Sequence, residues 1–144
     1  MVRIAIAGAA GRMGGRILAL ARADQREYDV VATLEKTGHP DIGMDAGEKA
    51  GLGRIGLPIQ DRTETEFDVL IDFTTPEGTM HWLDYCVVCK RAIIIGTTGH
   101  TAEPYIDGRI ASFQKRSQFR RWLPVRLGIQ KEVTSNMYTG WPIG

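Results

Sequence analysis

Three short stretches of the sequence carry residue types that could bind a nucleotide. The first is a glycine-rich run in which Gly8, Gly11 and Gly14 follow an apolar segment with the spacing G-x-x-G-x-x-G. Glycines let the backbone approach a pyrophosphate, and the free N–H groups at the start of a helix attract anions. A tight turn between a strand and a helix would use the same glycines, so this motif alone leaves both interpretations open.

An acidic residue at a particular distance favours the nucleotide interpretation. Glu35 lies 21 residues after Gly14, close to the offset of about 20 residues at which dinucleotide sites place the carboxylate that binds the ribose hydroxyls. A solvated charge at the end of a strand is the structural alternative. The next residue, Lys36, could meet a 2′-phosphate, so we expect either NADH or NADPH as the cofactor. A third stretch, Gly96-Thr97-Thr98, forms another glycine turn after an apolar run.

These stretches need a sheet to hold them together. Short apolar runs typical of buried parallel strands cover Val2–Ala7, Tyr28–Leu34, Phe67–Phe73 and the segment before Gly96, with a shorter one at Leu57–Gln60. Helical spacing separates the runs. The alternation predicts an α/β fold, a Rossmann-like doubly wound parallel sheet with helices on both faces. Because ligands bind at the carboxyl ends of such strands, the three stretches should meet at one edge of the sheet.

The helices and the loop between them can be predicted in more detail. One helix runs from Arg12 to about Ala23, with Met13, Ile17, Leu20 and Ala21 at the spacing of a face that packs on the sheet. Thr75 can cap a second helix that begins at Pro76. The glycine-rich residues 36–57 show little periodicity, so we predict a long loop there.

Composition limits the class of protein. The 144 residues are 43% apolar and 24% charged, with a formal net charge of +1, which is typical of a globular chain and argues neither for nor against a nucleic-acid partner. We expect no membrane span, since no apolar stretch is long enough, and no leader sequence, and the presence of only two cysteines argues against a disulfide framework. We therefore expect a cytoplasmic protein with no membrane partner.

Cys86 and Cys89 form a C-x-x-C pair that could be a redox site or half of a metal site. The sequence has no second pair, and only His39, His81 and His100 could complete a ligand set. We expect two small buried residues on a helix and no metal.

The last third of the chain differs from the rest. Residues 1–99 hold 11 Lys and Arg against 14 Asp and Glu, whereas residues 100–144 hold 7 against 3. The basic, aromatic stretch at residues 113–126 has the composition of a nucleic-acid contact but no known motif, so we expect a solvated surface and no nucleic acid. Gly140, Pro142 and Gly144 indicate a loose end. We predict a dinucleotide-binding domain at residues 1–103 and a divergent basic tail at residues 104–144.

Several segments together resemble a known enzyme family. "VRIAIAGAAGRMGGRI", "ATLEK", "FDVLIDFTTPEGT" and "IIIGTTGHTAE" occur in the order found in the N-terminal half of 4-hydroxy-tetrahydrodipicolinate reductase, an oxidoreductase of lysine biosynthesis through diaminopimelate. The resemblance covers about residues 2–103. It implies pyrophosphate contacts from the glycine loop, ribose and 2′-phosphate contacts from the acidic and basic pair, and a nicotinamide flanked by the D-F-T and G-T-T segments. The cofactor-binding residues implied in this way are Gly8, Ala9, Ala10, Gly11, Arg12, Met13, Glu35, Lys36, Phe73, Gly96, Thr97 and Thr98.

The resemblance assigns no catalytic residue. Members of the family take their proton donor and substrate ligands from a second domain with His-His-x-x-Lys and Ser-Gly-Thr motifs, and this sequence has neither. We therefore expect a truncated chain that is weakly active or inactive alone, and that takes a small-molecule substrate only if a catalytic domain is supplied. A non-catalytic dinucleotide-binding module or relic is the alternative. An unpaired strand after the Gly96 turn would also favour self-association.

Overall fold

The computed structural model describes residues 1–97 and 138–140. The described elements, in chain order, are β1 (Val2–Ala7), α1 (Arg12–Ala23), β2 (Tyr28–Leu34), α2 (Ala46–Lys49), β3 (Ile59–Gln60), β4 (Val69–Asp72), α3 (Pro76–Cys89), β5 (Ala92–Ile95) and β6 (Tyr138–Gly140). The strands form one sheet in the order β3-β2-β1-β4-β5-β6. Strands β1 to β5 are parallel, and β6 runs antiparallel to β5. The predicted Rossmann-like α/β fold is confirmed.

Alternate residues of the central strand β1 face opposite sides of the sheet. Ile4 and Ile6 lie in a buried cluster with residues of α1, whereas Ala5 and Ala7 lie in a second cluster with Trp82 of α3. The two helices therefore cover opposite faces, as predicted. Strands β2 and β3 lie on one side of β1, and strands β4 and β5 lie on the other side. The strand order therefore reverses between β1 and β4. Sheets of this type bind ligands at such a reversal.

The face that α1 presents to the sheet differs from the predicted one. The residues of α1 that are buried are Gly14, Ile17, Leu18 and Ala21. Met13 and Leu20, which we expected on this face, are 43% and 45% exposed. The reason is a close contact between α1 and the end of β1 at Gly14, which centres the buried stripe one residue later in the helical turn.

The predicted loop at residues 36–57 contains a short helix, α2, and a carboxylate that closes the loop. Asp45 caps α2 and accepts five backbone N–H bonds of 2.7 to 3.2 Å, from Gly47, Glu48, Ile55, Gly56 and Leu57. Burial acts to raise the pKa of this carboxyl, but the backbone donors outweigh it and hold the pKa below its ordinary value. Strands β3 and β4 are also shorter than their predicted spans.

The two cysteines of α3 lie in different environments, and both are free thiols. Cys86 is fully buried against the sheet, as predicted. Burial raises the pKa of its thiol, so the group stays protonated and unreactive. Cys89 is exposed, contrary to the prediction, because it is the last residue of the helix, just before the left-handed cap residue Lys90.

One segment of the tail joins the sheet. We expected Gly140 to belong to a loose end, but Tyr138–Gly140 forms β6, which pairs with Ile93–Ile95 of β5. The strand that we expected to be an unpaired edge after the Gly96 turn lies outside the described residues. None of the helices within the described ranges combines the length and the hydropathy needed to cross a membrane.

Candidate functional site

The turn between β1 and α1 depends on two glycines. Gly8 has φ of +81°, and a Cβ there would lie 2.2 Å from the carbonyl oxygen of Phe73. A Cβ at Gly14 would lie 2.2 Å from the carbonyl oxygen of Gly8. Both contacts are with backbone atoms, which cannot move aside easily. These glycines therefore allow the start of α1 to lie directly against the ends of β1 and β4.

Some N–H groups of this turn have an acceptor within the described residues, and others have none. The N–H groups of Gly8 and Ala9 both donate to the carbonyl of Leu34, at 3.0 and 3.2 Å, and that of Gly11 donates to the carbonyl of Gly8 at 3.0 Å. The N–H groups of Arg12, Met13 and Gly14 find no acceptor among the described residues.

The start of α1 is also free of competing acceptors. The residue that caps the helix is Gly11, which has no side chain to accept a hydrogen bond, and the first turn contains no acidic residue. The free N–H groups and the helix dipole therefore favour an anion at this point.

Glu35 lies beside the glycine turn, although 25 residues separate it from Ala10. Its Oε1 accepts the N–H of Ala10 at 3.0 Å, and the residue is 9% exposed. Its Oε2 accepts no hydrogen bond from the described residues. Because this oxygen has no donor among the described residues, it is available to accept a hydrogen bond from a ligand.

Three further predicted residues directly follow the glycine turn or Glu35 in the sequence and are exposed. Lys36 follows Glu35, makes no ion pair with the described residues, and its carbonyl accepts the N–H of His39 at 3.0 Å. Arg12 and Met13 begin α1. Two solvent-exposed cations therefore follow the glycine turn and Glu35 in the sequence.

The end of β4 is joined to both neighbouring strands by Phe73. Its N–H donates to the carbonyl of Ala7 at 3.1 Å, and its ring lies against Gly96, where a Cβ would be 2.2 Å from Cζ. Thr97 follows Gly96 and is 3% exposed. The predicted residues Gly96, Thr97 and Phe73 are thus brought together with the Gly8 turn, while Thr98 lies outside the described residues.

The sequence analysis missed Asp72, the last residue of β4, which is fully buried. Its Oδ1 accepts the hydroxyl of Thr74 at 2.6 Å, and its Oδ2 accepts the hydroxyls of Thr79 and Thr97. No lysine, arginine or histidine in the described part of the chain pairs with it. An aspartate that ends an apolar run and precedes several threonines was a signal that could have found it.

The comparison with known families decides the relationship. The family described as "Dihydrodipicolinate reductase, N-terminus" matches residues 2–115. The chain belongs to this family. The resemblance noted in the sequence is thereby confirmed.

Curated relatives carry the name 4-hydroxy-tetrahydrodipicolinate reductase. Over 106 residues the chain is 50% identical to the protein of Geotalea uraniireducens, 46% to that of Citrifermentans bemidjiense and 44% to that of Geobacter sulfurreducens. Each match covers 72% of this chain and 39% of the relative. The chain thus matches well under half the length of these relatives.

A solved structure supports the fold alone. The ribosomal protein L11 methylase of Lactobacillus delbrueckii subsp. bulgaricus superposes with a TM-score of 0.50 at 17% identity, over 78% of this chain and 60% of that one. At this identity the similarity concerns the arrangement of strands and helices.

Proposed function

We propose that this chain binds NADH or NADPH at the carboxyl edge of its sheet, as the cofactor-binding part of a 4-hydroxy-tetrahydrodipicolinate reductase. The position of Glu35 carries the proposal. One carboxylate oxygen accepts the N–H of Ala10 in the glycine turn, and the other has no donor among the described residues. That arrangement fits an adenosine ribose, whose hydroxyls donate hydrogen bonds to a carboxylate in dinucleotide sites.

The start of α1 fits the pyrophosphate. The N–H groups of Arg12, Met13 and Gly14 have no described acceptor, and no side chain at Gly11 stands in front of them. Glu35 and this helix start are joined by the hydrogen bond to Ala10, so ribose and pyrophosphate can be bound side by side. The guanidinium of Arg12 adds a positive charge at the same place.

Discrimination between the two cofactors should depend on Glu35 and Lys36. The carboxylate favours a free 2′-hydroxyl, whereas the exposed ammonium, which has no described ion pair, can meet a 2′-phosphate. We therefore propose that both NADH and NADPH bind.

The bound cofactor would supply the hydride for reduction, and the residues of this chain would hold and orient it. The half-buried ring of Phe73, which packs on the buried Gly96, offers apolar surface at the end of β4, on the side of the turn away from Glu35. We propose that the nicotinamide lies there. We further propose that substrate ligands and a proton donor come from the part of the relatives that this chain does not match.

Calorimetric titration with NADH, NADPH and ADP-ribose tests the binding proposal. We expect saturation at one site per chain with each ligand. Lys36→Ala should weaken NADPH binding about tenfold, the effect of one lost charge-assisted hydrogen bond, and change NADH binding by less than about twofold. Arg54→Ala, which removes another exposed cation, is the matched control. Equal losses for NADH and NADPH in Lys36→Ala would contradict the assigned role.

A chimera tests the proposed reaction. Residues 1–97 would replace the matching segment of the reductase from Geotalea uraniireducens, which is 50% identical to this chain over the matched region. We expect reduction of the substrate of that enzyme with NADH or NADPH. A chimera that binds ADP-ribose but reduces no substrate would contradict the proposed reaction and leave the binding proposal standing.

A further inference from the structure

We infer that Asp72 and Thr97 are positioning residues that set the binding geometry for the nicotinamide half of the cofactor. The inference rests on the proposed function. It concerns a largely buried group of side chains that join the ends of β4 and β5, next to the contact between Phe73 and Gly96.

The hydroxyl of Thr97 has one possible direction for its proton. Its oxygen accepts the N–H of Thr74 at 2.9 Å, and the same oxygen lies 3.0 Å from Oδ2 of Asp72. A carboxylate without a proton cannot donate, so the hydroxyl donates to Asp72. The Thr97 hydroxyl therefore accepts one hydrogen bond and donates the other. It influences the cofactor site by holding the backbone of Thr74, the residue after Phe73.

Asp72 fixes three hydroxyls at once. Oδ1 accepts from Thr74, and Oδ2 accepts from Thr79 and Thr97, while the backbone carbonyl of Asp72 accepts the N–H of Gly96 at 2.8 Å. Hydrogen bonds to a carboxylate are stronger than those between neutral groups, and burial strengthens them further. The turn after β4 and the turn after β5 are thereby held in one arrangement.

This arrangement decides where the Phe73 ring lies. The ring fills the space above Gly96, so a shift of the Thr74 backbone would move the ring relative to the Gly96 turn. Among the described residues, Glu35 and the start of α1 share no hydrogen bond with this group of hydroxyls. Loss of the Thr97 hydroxyl should therefore weaken binding of the nicotinamide half and leave the adenosine half unaffected.

The chain offers a matched pair of variants. Thr97→Val and Thr79→Val each remove one hydroxyl that donates to Oδ2 of Asp72, and both threonines are buried, at 3% and 0% exposure. Only Thr97 also accepts the N–H of Thr74. Thr97→Ser keeps the hydroxyl and serves as the conservative variant.

Titration of these variants with NADH and with ADP-ribose tests the inference. We expect Thr97→Val to weaken NADH binding about tenfold and to change ADP-ribose binding by less than about twofold. We also expect this variant to lose the shift in fluorescence emission that NADH shows when it binds to the native chain. Thr97→Ser should restore both properties. Thr79→Val should lower the melting temperature to a similar extent and bind NADH as the native chain does.

Several results would overturn the inference. Equal losses for NADH and ADP-ribose in Thr97→Val, or equal losses of NADH binding in the two valine variants, would assign Thr97 a general structural role. If Thr97→Val does not fold, amide exchange in the native chain decides: a Thr74 N–H that exchanges as fast as an exposed one contradicts the bond to Thr97. A native chain that binds neither ligand would contradict both the proposed function and the inference. If the native chain binds ADP-ribose, the binding proposal stands and the Thr97 variants test the inference separately.

Discussion

Two carboxylates lie at the carboxyl ends of strands on either side of β1, and they differ in how many of their oxygens the protein uses. Glu35, after β2, has one oxygen on a backbone N–H and the other without a described donor. Asp72, at the end of β4, has both oxygens on threonine hydroxyls and is completely buried. The residue type and the position in the sheet are similar, but the remaining capacity for hydrogen bonds is different.

This difference distinguishes a ligand-binding group from a positioning group. A carboxylate with a free oxygen gains a partner when a ligand arrives, whereas a saturated carboxylate would have to give up a bond first. We therefore propose that Glu35 binds the cofactor and that Asp72 holds the turns that shape the other end of the cofactor site.

The largest expected effect is the loss of the Asp72 carboxylate. Asp72→Ala leaves the buried hydroxyls of Thr79 and Thr97 without this acceptor and also removes the bond from the half-buried Thr74, so we expect it to lower the free energy of unfolding by about 3–5 kcal/mol. Glu35→Ala loses one bond to a backbone N–H and should lower it by about 1 kcal/mol. Urea unfolding measures both values. Equal losses in the free energy of unfolding would mean that the two carboxylates stabilise the fold to the same extent, contrary to the proposed difference.

A smaller effect on stability is expected at the glycine turn. Gly14→Ala places a Cβ against the carbonyl of Gly8, and we expect a loss of about 1–3 kcal/mol in urea unfolding, together with loss of ADP-ribose binding. Gly15→Ala is the matched control one residue later. Among the described residues its Cβ would meet only Ala50, at 3.3 Å from the Cβ and 3.6 Å from the Cα, and a helical alanine is favoured over glycine by up to about 1 kcal/mol. A Gly15→Ala variant as unstable as Gly14→Ala would contradict the close contact.

The smallest effect concerns pH and a third carboxylate, at the start of β4. The Arg3 side chain, with the Arg3 N–H, binds Asp68 and holds the pKa of that carboxyl below its ordinary value. A lowered pKa adds stability at pH values above the ordinary range of aspartate, and that stability is lost as pH falls through the folded-state pKa, below about pH 4. Urea midpoints should therefore decline on acidification, and Asp68→Asn should flatten the decline. An unchanged acid profile in Asp68→Asn would rule out this contribution.

The sequence predicted the parts of the site that depend on local order. β1, α1 and β2 have the predicted bounds, because strong apolar periodicity is interrupted by glycines at the turn. The pairing of Glu35 with the glycine turn could also be anticipated, since a βαβ unit brings the ends of consecutive parallel strands together.

The parts that escaped prediction depend on contacts between distant residues. Asp72 acquires its role from Thr79 and Thr97, which the sequence does not mark as neighbours. The exposure of Met13 follows from the contact at Gly14 and not from helical spacing. Strand β6 pairs across more than 40 residues, for which apolar patterning gives no register.

The most direct test of the account is an NADH titration of the native chain beside Glu35→Gln and Glu64→Gln. Both variants remove one negative charge, but Glu64 is exposed and makes no hydrogen bond within the described residues. We predict saturation at one site for the native chain and for Glu64→Gln, and binding about tenfold weaker for Glu35→Gln. A native chain that does not saturate, or two variants that bind NADH equally, would contradict the assignment of Glu35 to the cofactor.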